Sequence, residues 1–183
     1  KTIGAMYFYL RGTPFIYQGQ ELGMTNFKRQ SIDEFNDISS IDQYYRAIDE
    51  GLSAKEALEI INLRSRDNSR TPFPWTSDVN GGFSTVTPWL ASTENYHKIN
   101  AAQALQNPDS LYYFYQKMIH IRQSHDVLIY GEFKPITPIS DTVIAYQRIS
   151  DGKRIYGYFN LGETEVSEPL KVYPPHVLDR KST

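Results

Sequence analysis

From Lys1 to Arg11 the chain runs KTIGAMYFYLR, in which Ile3, Met6 and Leu10 recur at i, i+3 and i+7. That spacing predicts a helix with one buried stripe, stopped by Gly12. The texture then changes to a β-branched and aromatic run, TPFIYQ at 13–18, lying between Gly12 and Gly19. A short apolar segment bounded by glycines reads as a buried strand, with Pro14 tolerated near its start. The polar, Gly-punctuated stretch QGQELGMTN follows at 18–26.

No second strand of that kind is predicted before about residue 108, and a loop region this long is usually functional. Ser40 and Gln43 have capping-box spacing for a helix through about Glu50, and Ser53 with Glu56 repeats the signal for a helix through about Leu63. Gly51 separates the two. SRDNSRTPFPW at 65–75 is too polar and Pro-rich for an element interior, and residues 76–108 read as irregular, with turn signals at Asn80-Gly81-Gly82 and Asn107-Pro108. Asp109 or Ser110 caps a predicted helix over 110–124, whose Leu111, Phe114, Tyr115, Met118 and Ile119 give the strongest helical period in the chain. Beyond His125-Asp126 the pattern becomes that of an antiparallel β module. TVIAYQRI (142–149) and RIYGYFNL (154–161) flank Asp151-Gly152, a hairpin turn pair. The tail from 162 carries Pro169, Pro174 and Pro175 and is too short to complete a β-sandwich.

Composition narrows the function classes. Nineteen basic against 21 acidic residues leave a net charge of −2, which gives no electrostatic footprint for nucleic acid and no polybasic membrane anchor. No apolar run approaches the about 20 residues that a membrane span needs. Cys is absent, which removes disulfides, thiolate catalysis and Cys-based zinc sites and suits a reducing, cytoplasmic setting. Aromatic residues reach 14%, compatible with a Tyr-rich core and surface or with the stacking of sugar rings on aromatic faces. The chain opens at Lys1, already inside an apolar helical run with no cap before it. It is therefore expected to be a piece of something longer.

Candidate chemistry is sparse. His97, His120, His125 and His176 show no metal-ligand spacing, and no phosphate-cradling glycine motif is present, so neither a metal nor a cofactor is expected. Glu21 follows the predicted strand, where a βα barrel opens onto its catalytic face; it reads either as a functional carboxylate or as a residue that fixes the loop. Arg66, Asp67 and Arg70 form a second cluster, two guanidiniums around one carboxylate beside Pro72, Pro74 and Trp75. It reads either as a surface ion pair or as a rigid loop presenting a bidentate donor to a carboxylate partner and sugar hydroxyls.

TPFIYQGQELGMTN (13–26) followed by SRDNSRTPFPW (65–75) resembles the eighth barrel strand and its loop in α-glucosidases of glycoside hydrolase family 13. GGFSTVTPWL (81–90), NYHKIN (95–100) and NPDSLYYFYQKMIHIR (107–122) continue the match in order, over roughly 1–161. The similarity is to the oligo-1,6-glucosidase, dextran glucosidase and trehalose-6-phosphate hydrolase group. It implies an α/β plus all-β fold. Residues 1–126 would be the C-terminal part of a (β/α)8 TIM barrel, contributing the last strand and helices with a long helical loop. Residues 127–183 would be a partial antiparallel β-sandwich domain.

The resemblance also implies a retaining enzyme whose Asp nucleophile, Glu acid/base and third Asp lie on strands four, five and seven, upstream of Lys1. No catalytic residue is therefore expected in this chain. Two substrate-binding positions are: Arg66, which in the family helps hold the terminal glucose opposite an Asp from an early barrel loop, and Ser39. Ser39 stands where the family's D-I-E or D-V-E stretch supplies a Glu to the next subsite; here the stretch is Asp37-Ile38-Ser39. Glu34 or Asp42 is an alternative source of that acid. Gln20 and Pro74 also depart from the usual Glu and Gln. The implied activity of the complete enzyme is hydrolysis of α-glucosidic bonds, of the α-1,6 type, in short oligosaccharides from the non-reducing end. Sucrose-isomerising transglycosylation and a non-catalytic sugar-binding module are the alternatives. The implied partner is an oligosaccharide, with no nucleic acid and no membrane.

Overall fold

The computed structural model describes residues 1–138 and 140–167. The prolines at 169, 174 and 175, His176 and the rest of the expected β-domain tail lie outside the described residues. The chain divides into two compact units: residues 1–16 together with the chain from 113 onward, and residues 17–112.

In the first unit, α1 covers Thr2–Phe8, α5 covers Leu111–Gln123 (entering the unit at 113) and α6 covers Asp126–Ile129. The face that α1 buries is not the Ile3 stripe. Gly4, Ala5, Phe8 and Tyr9 are buried, whereas Ile3 is 63% exposed and Met6 and Leu10 only flank the core. The reason is close packing: a Cβ on Gly4 would stand 2.8 Å from the Phe114 ring, so the small-residue face is the one that lets α5 approach. Tyr115, Met118 and Ile121 form the matching face of α5, with Ile119 turned toward solvent. Leu128, Tyr146 and Phe159 complete this core.

Three antiparallel strands, β1 Glu132–Ile136, β2 Val143–Ser150 and β3 Lys153–Asn160, pair in that order. The register sets Glu132 opposite Ile149 and Ser150 opposite Lys153. The two-residue turn between β2 and β3 holds Asp151 at φ 48° and Gly152 at φ 75°, the left-handed pair that a tight hairpin requires. β1 was not apparent in the sequence pattern: EFKPI shows no alternation, is almost wholly exposed and contains Pro135. An edge position tolerates all three.

The predicted strand at 13–18 does not form. Residues 13–17 have no partner strand among the described residues, and Phe15 is 84% exposed. A strand is defined by its ladder, and apolar composition alone cannot supply one.

The second unit is built on an antiparallel helix pair, α2 Ile38–Asp49 and α3 Ala54–Arg64, with Phe35, Tyr44, Ala57 and Ile61 between them. Its connection is closed on both sides. Gly51 N–H donates to the Ile48 carbonyl and Leu52 N–H to Ala47, with Gly51 at φ 101°; this is the Schellman pattern. On the other side Ser53 Oγ accepts from Glu56 N–H and the Glu56 carboxylate accepts from Ser53 N–H, the predicted capping box. Ser40, by contrast, caps nothing. α2 begins two residues earlier, with Asp37 as the flanking residue, and Ser40 is buried in its first turn. The region beyond 65 is less irregular than its composition suggests. Short 3-10 turns occupy Arg66–Ser69 and Glu94–His97, and α4 covers Ala101–Gln106 behind an Asn100 cap. Asn80, Gly81 and Gly82 all take positive φ, as the turn signal predicts.

Candidate functional site

The polar cluster of the second unit is assembled from two segments, 36–40 at the start of α2 and 65–70 after α3. Each is short, and one buried carboxylate fastens them together. Asp67, fully buried, accepts at Oδ2 from the backbone N–H groups of Asn36 (2.7 Å) and Asp37 (3.0 Å). Its N–H donates to Ser65 Oγ, and Ser65 Oγ lies 2.9 Å from Ser40 Oγ. Ser40 in turn donates to Asp37 Oδ2 at 2.7 Å. Since a hydroxyl has one proton, Ser40 can donate to Asp37 only if Ser65 donates to Ser40. The serines thus form an oriented pair that ends on the Asp37 carboxylate.

Arg66 meets that carboxylate from outside. Its Nε–H and Nη2–H both donate to Asp37 Oδ1, at 3.2 and 2.7 Å. Asp37 is 4% exposed and Arg66 64%. The Arg66 hydrogen bond, reinforced by the Ser40 bond and the guanidinium charge, holds the Asp37 carboxyl down at about 2 despite burial. Arg66 is shifted reciprocally upward by the same bond.

The expected grouping of Arg66 and Arg70 around Asp67 is therefore corrected. Asp67 pairs with Arg70, Oδ1 to Nη1 at 3.5 Å, while its other oxygen is occupied by main-chain donors, and Arg66 reaches across 29 residues to Asp37. Sequence reasoning missed this role of Asp37. Asp37 opens the Asp-Ile-Ser stretch, but nothing in the local spacing connects it to a guanidinium 29 residues along the chain.

Ser39 sits exposed in the first turn of α2 and accepts from Gln43 Nε2 at 3.1 Å. Of the alternative acids, Glu34 has its Oε1 occupied by the N–H groups of Gln30 and Ser31; Asp42 is exposed. Glu21 is half-buried, and its Oε2 has no hydrogen-bond partner among the described residues. Behind the cluster, Arg29 is buried between the rings of Phe27 and Phe35, 5.3 and 4.7 Å from their centroids, and donates to Asn68 Oδ1. Asn62 pins its backbone on both sides, accepting from Arg29 N–H and donating to the Arg29 carbonyl. A cavity of about 310 Å³ lies between the 17–26 loop and residues 68–71; at its edge the Tyr17 hydroxyl donates to the Ser69 carbonyl. His97 and His125 are engaged with the carbonyls of Ser77 and Ile121.

Residues 1–131 match the family model described as the α-amylase catalytic domain. The chain is 39% identical to a glucan 1,6-α-glucosidase of Streptococcus pneumoniae, over 90% of this chain and 31% of that protein. It is 37% identical to a trehalose-6-phosphate hydrolase of Bacillus subtilis, over 93% of this chain and 30% of that one. Among solved structures, the trehalose-6-phosphate hydrolase of Bacillus licheniformis superposes with a TM-score of 0.82 at 37% identity, covering 87% of this chain and 29% of that one. The trehalulose synthase of Pseudomonas mesoacidophila MX-45 gives 0.81 at 39%, with the same coverages. The chain thus spans about a third of the length of these relatives. It belongs to the α-amylase family, glycoside hydrolase family 13, with helices and an antiparallel sheet consistent with part of a TIM barrel followed by a β domain.

Proposed function

We propose that the complete protein is a retaining α-glucosidase that hydrolyses α-glucosidic bonds, of the α-1,6 type, in short oligosaccharides from the non-reducing end. Arg66 contacts the terminal glucose and Ser39 lines the next subsite. The observation that carries this reading is the exposed Arg66 guanidinium, fixed on one edge by a buried carboxylate and carrying further N–H donors. Such a donor suits hydroxyl recognition. The similarity to glucan 1,6-α-glucosidase supports the substrate class. In this reading the barrel-derived part ends near residue 126 and the β domain begins near 127. The chain supplies substrate contacts, while the catalytic carboxylates come from elsewhere in the protein. A cytoplasmic setting accords with the absence of Cys.

The test is product analysis of the full-length enzyme on isomaltose, maltose and sucrose. Glucose released with retained anomeric configuration, fastest from the α-1,6 disaccharide, is expected. Isomerised sucrose as the main product would favour the second reading, transglycosylation, which rests on the likeness to trehalulose synthase. Sugar binding without turnover would favour a non-catalytic module.

A further inference from the structure

We propose that Asp37 is a positioning residue for the substrate-facing Arg66, selecting which edge of its guanidinium is presented. The proposal rests on the assignment of Arg66 to the glucose subsite. A guanidinium has five N–H donors in a rigid plane. Asp37 Oδ1 engages Nε–H and one N–H of Nη2, which lie on one edge. The two protons of Nη1 and the second of Nη2 lie in the same plane and point away from that edge. Once the first edge is fixed, the direction of these donors is fixed too.

Asp37 is suited to this because it is itself held at both ends. Its N–H donates to the buried Asp67 carboxylate, and its second oxygen accepts from Ser40, whose acceptor site is filled by Ser65. The anchor is nearly inaccessible while the residue it steers is open. An exposed Arg without such an anchor spreads over many rotamers, and a ligand must select one. Tying the guanidinium down in advance removes that cost from binding. Because the carboxyl is held at about 2, it remains charged and able to hold the fork across neutral and mildly acidic conditions.

A double-mutant cycle in the full-length enzyme tests the idea, with kcat/KM for an aryl α-glucoside as the readout. Asp37→Asn alone should lower kcat/KM on the order of tenfold to a hundredfold, the scale expected when a contact group is misplaced. In an Arg66→Ala background the same change should have no further effect, because nothing remains to be steered. Equal losses in both backgrounds would show that Asp37 serves only the fold and would overturn the proposal. Should Asp37→Asn not fold, Ser40→Ala, which removes one hydroxyl from the Asp37 carboxylate, carries the same cycle with a several-fold loss expected only when Arg66 is present. If Arg66→Ala itself left kcat/KM intact, the subsite reading would fail, and this proposal with it. An impaired Arg66→Ala with a fully active Asp37→Asn would overturn the positioning role alone.

Discussion

Both units of the chain depend on arginine, and they treat its charge in opposite ways. In the first unit Arg122 and Arg148 are buried, and their hydrogen-bond acceptors are main-chain carbonyls. Arg122 donates to Phe8, Leu10 and Gly12, and Arg148 to Tyr9, Leu128 and Gly131. Four of these carbonyls belong to the end of α1 and the turn after it, where acceptors lack intrahelical partners and the helix dipole favours a cation. Desolvation lowers the pKa of both groups. In the second unit Arg66 is open to solvent and meets a carboxylate that neutralises it. A carbonyl cluster uses the breadth of the guanidinium to close a chain end. A single carboxylate edge leaves the remaining donors for a ligand. In the reading proposed above, the same side chain is scaffold in one place and substrate contact in the other, and burial separates the two settings.

The sharpest way to break this contrast is Arg148→Met. Leaving several buried carbonyls without a donor should cost about 3 kcal/mol or more, since each orphaned group costs about 1–3 kcal/mol. The measurement is the urea midpoint of the full-length protein, and a loss too small to move it would mean that water replaces the guanidinium. Arg66→Ala should act on the other quantity. kcat/KM is expected to fall on the order of 30-fold or more while the protein still folds, because truncation leaves a buried acidic partner without its cation. Arg66→Lys should not restore it, as a point charge cannot reproduce the fork. Full activity in Arg66→Lys would reduce the site to simple electrostatics.

Ser39→Glu probes the neighbouring position. A charge-assisted hydrogen bond of about 1.5–3 kcal/mol would change the kcat/KM ratio between α-1,6- and other-linked disaccharides several-fold. Hydrolysis of an aryl glucoside should change much less. An equal response of both substrate classes removes Ser39 from the subsite.

The smallest expected effect is that of acid. Asp37 sits at about 2 against an ordinary 3.8, so its pairing stabilises the folded state above about pH 4 and is lost as the pH falls toward 2. Hydrogen exchange should therefore show residues 65–70 loosening across that window. The carbonyl-bound arginines of the first unit do not titrate there.

Local devices were legible in the sequence, and long-range partnerships were not. The Asp151-Gly152 turn and the Ser53–Glu56 box are encoded within four residues, and both form as read. The helices at 38–49 and 54–64 are signalled by their serine-led capping patterns and that at 111–123 by its periodicity, with ends displaced by at most three residues. The faces they bury were less legible. Which side of α1 is buried depends on what approaches it, and Gly4 decides that by being small. The 13–18 run reads as a strand because composition cannot show whether a neighbour is present to complete its ladder. For the site, the RDNSR motif pointed to Arg66, but its acceptor lies 29 residues away and was obscured by a nearer carboxylate, Asp67. Only the fold reveals that Asp67 is turned inward, toward backbone donors.

The link between α2 and α3 bears on protein engineering. The Schellman bonds end with Leu52 N–H and the capping box begins with Ser53, so neither set of bonds crosses the peptide between them. Each helix is finished by its own residues. A flexible insert at that seam would need only to let Tyr44 pack again near Ala57 and Ile61, and the cost of closing a loop grows slowly with its length. The Leu52–Ser53 bond is therefore the place to attach a tag or reporter while keeping the Asp37–Arg66 geometry intact.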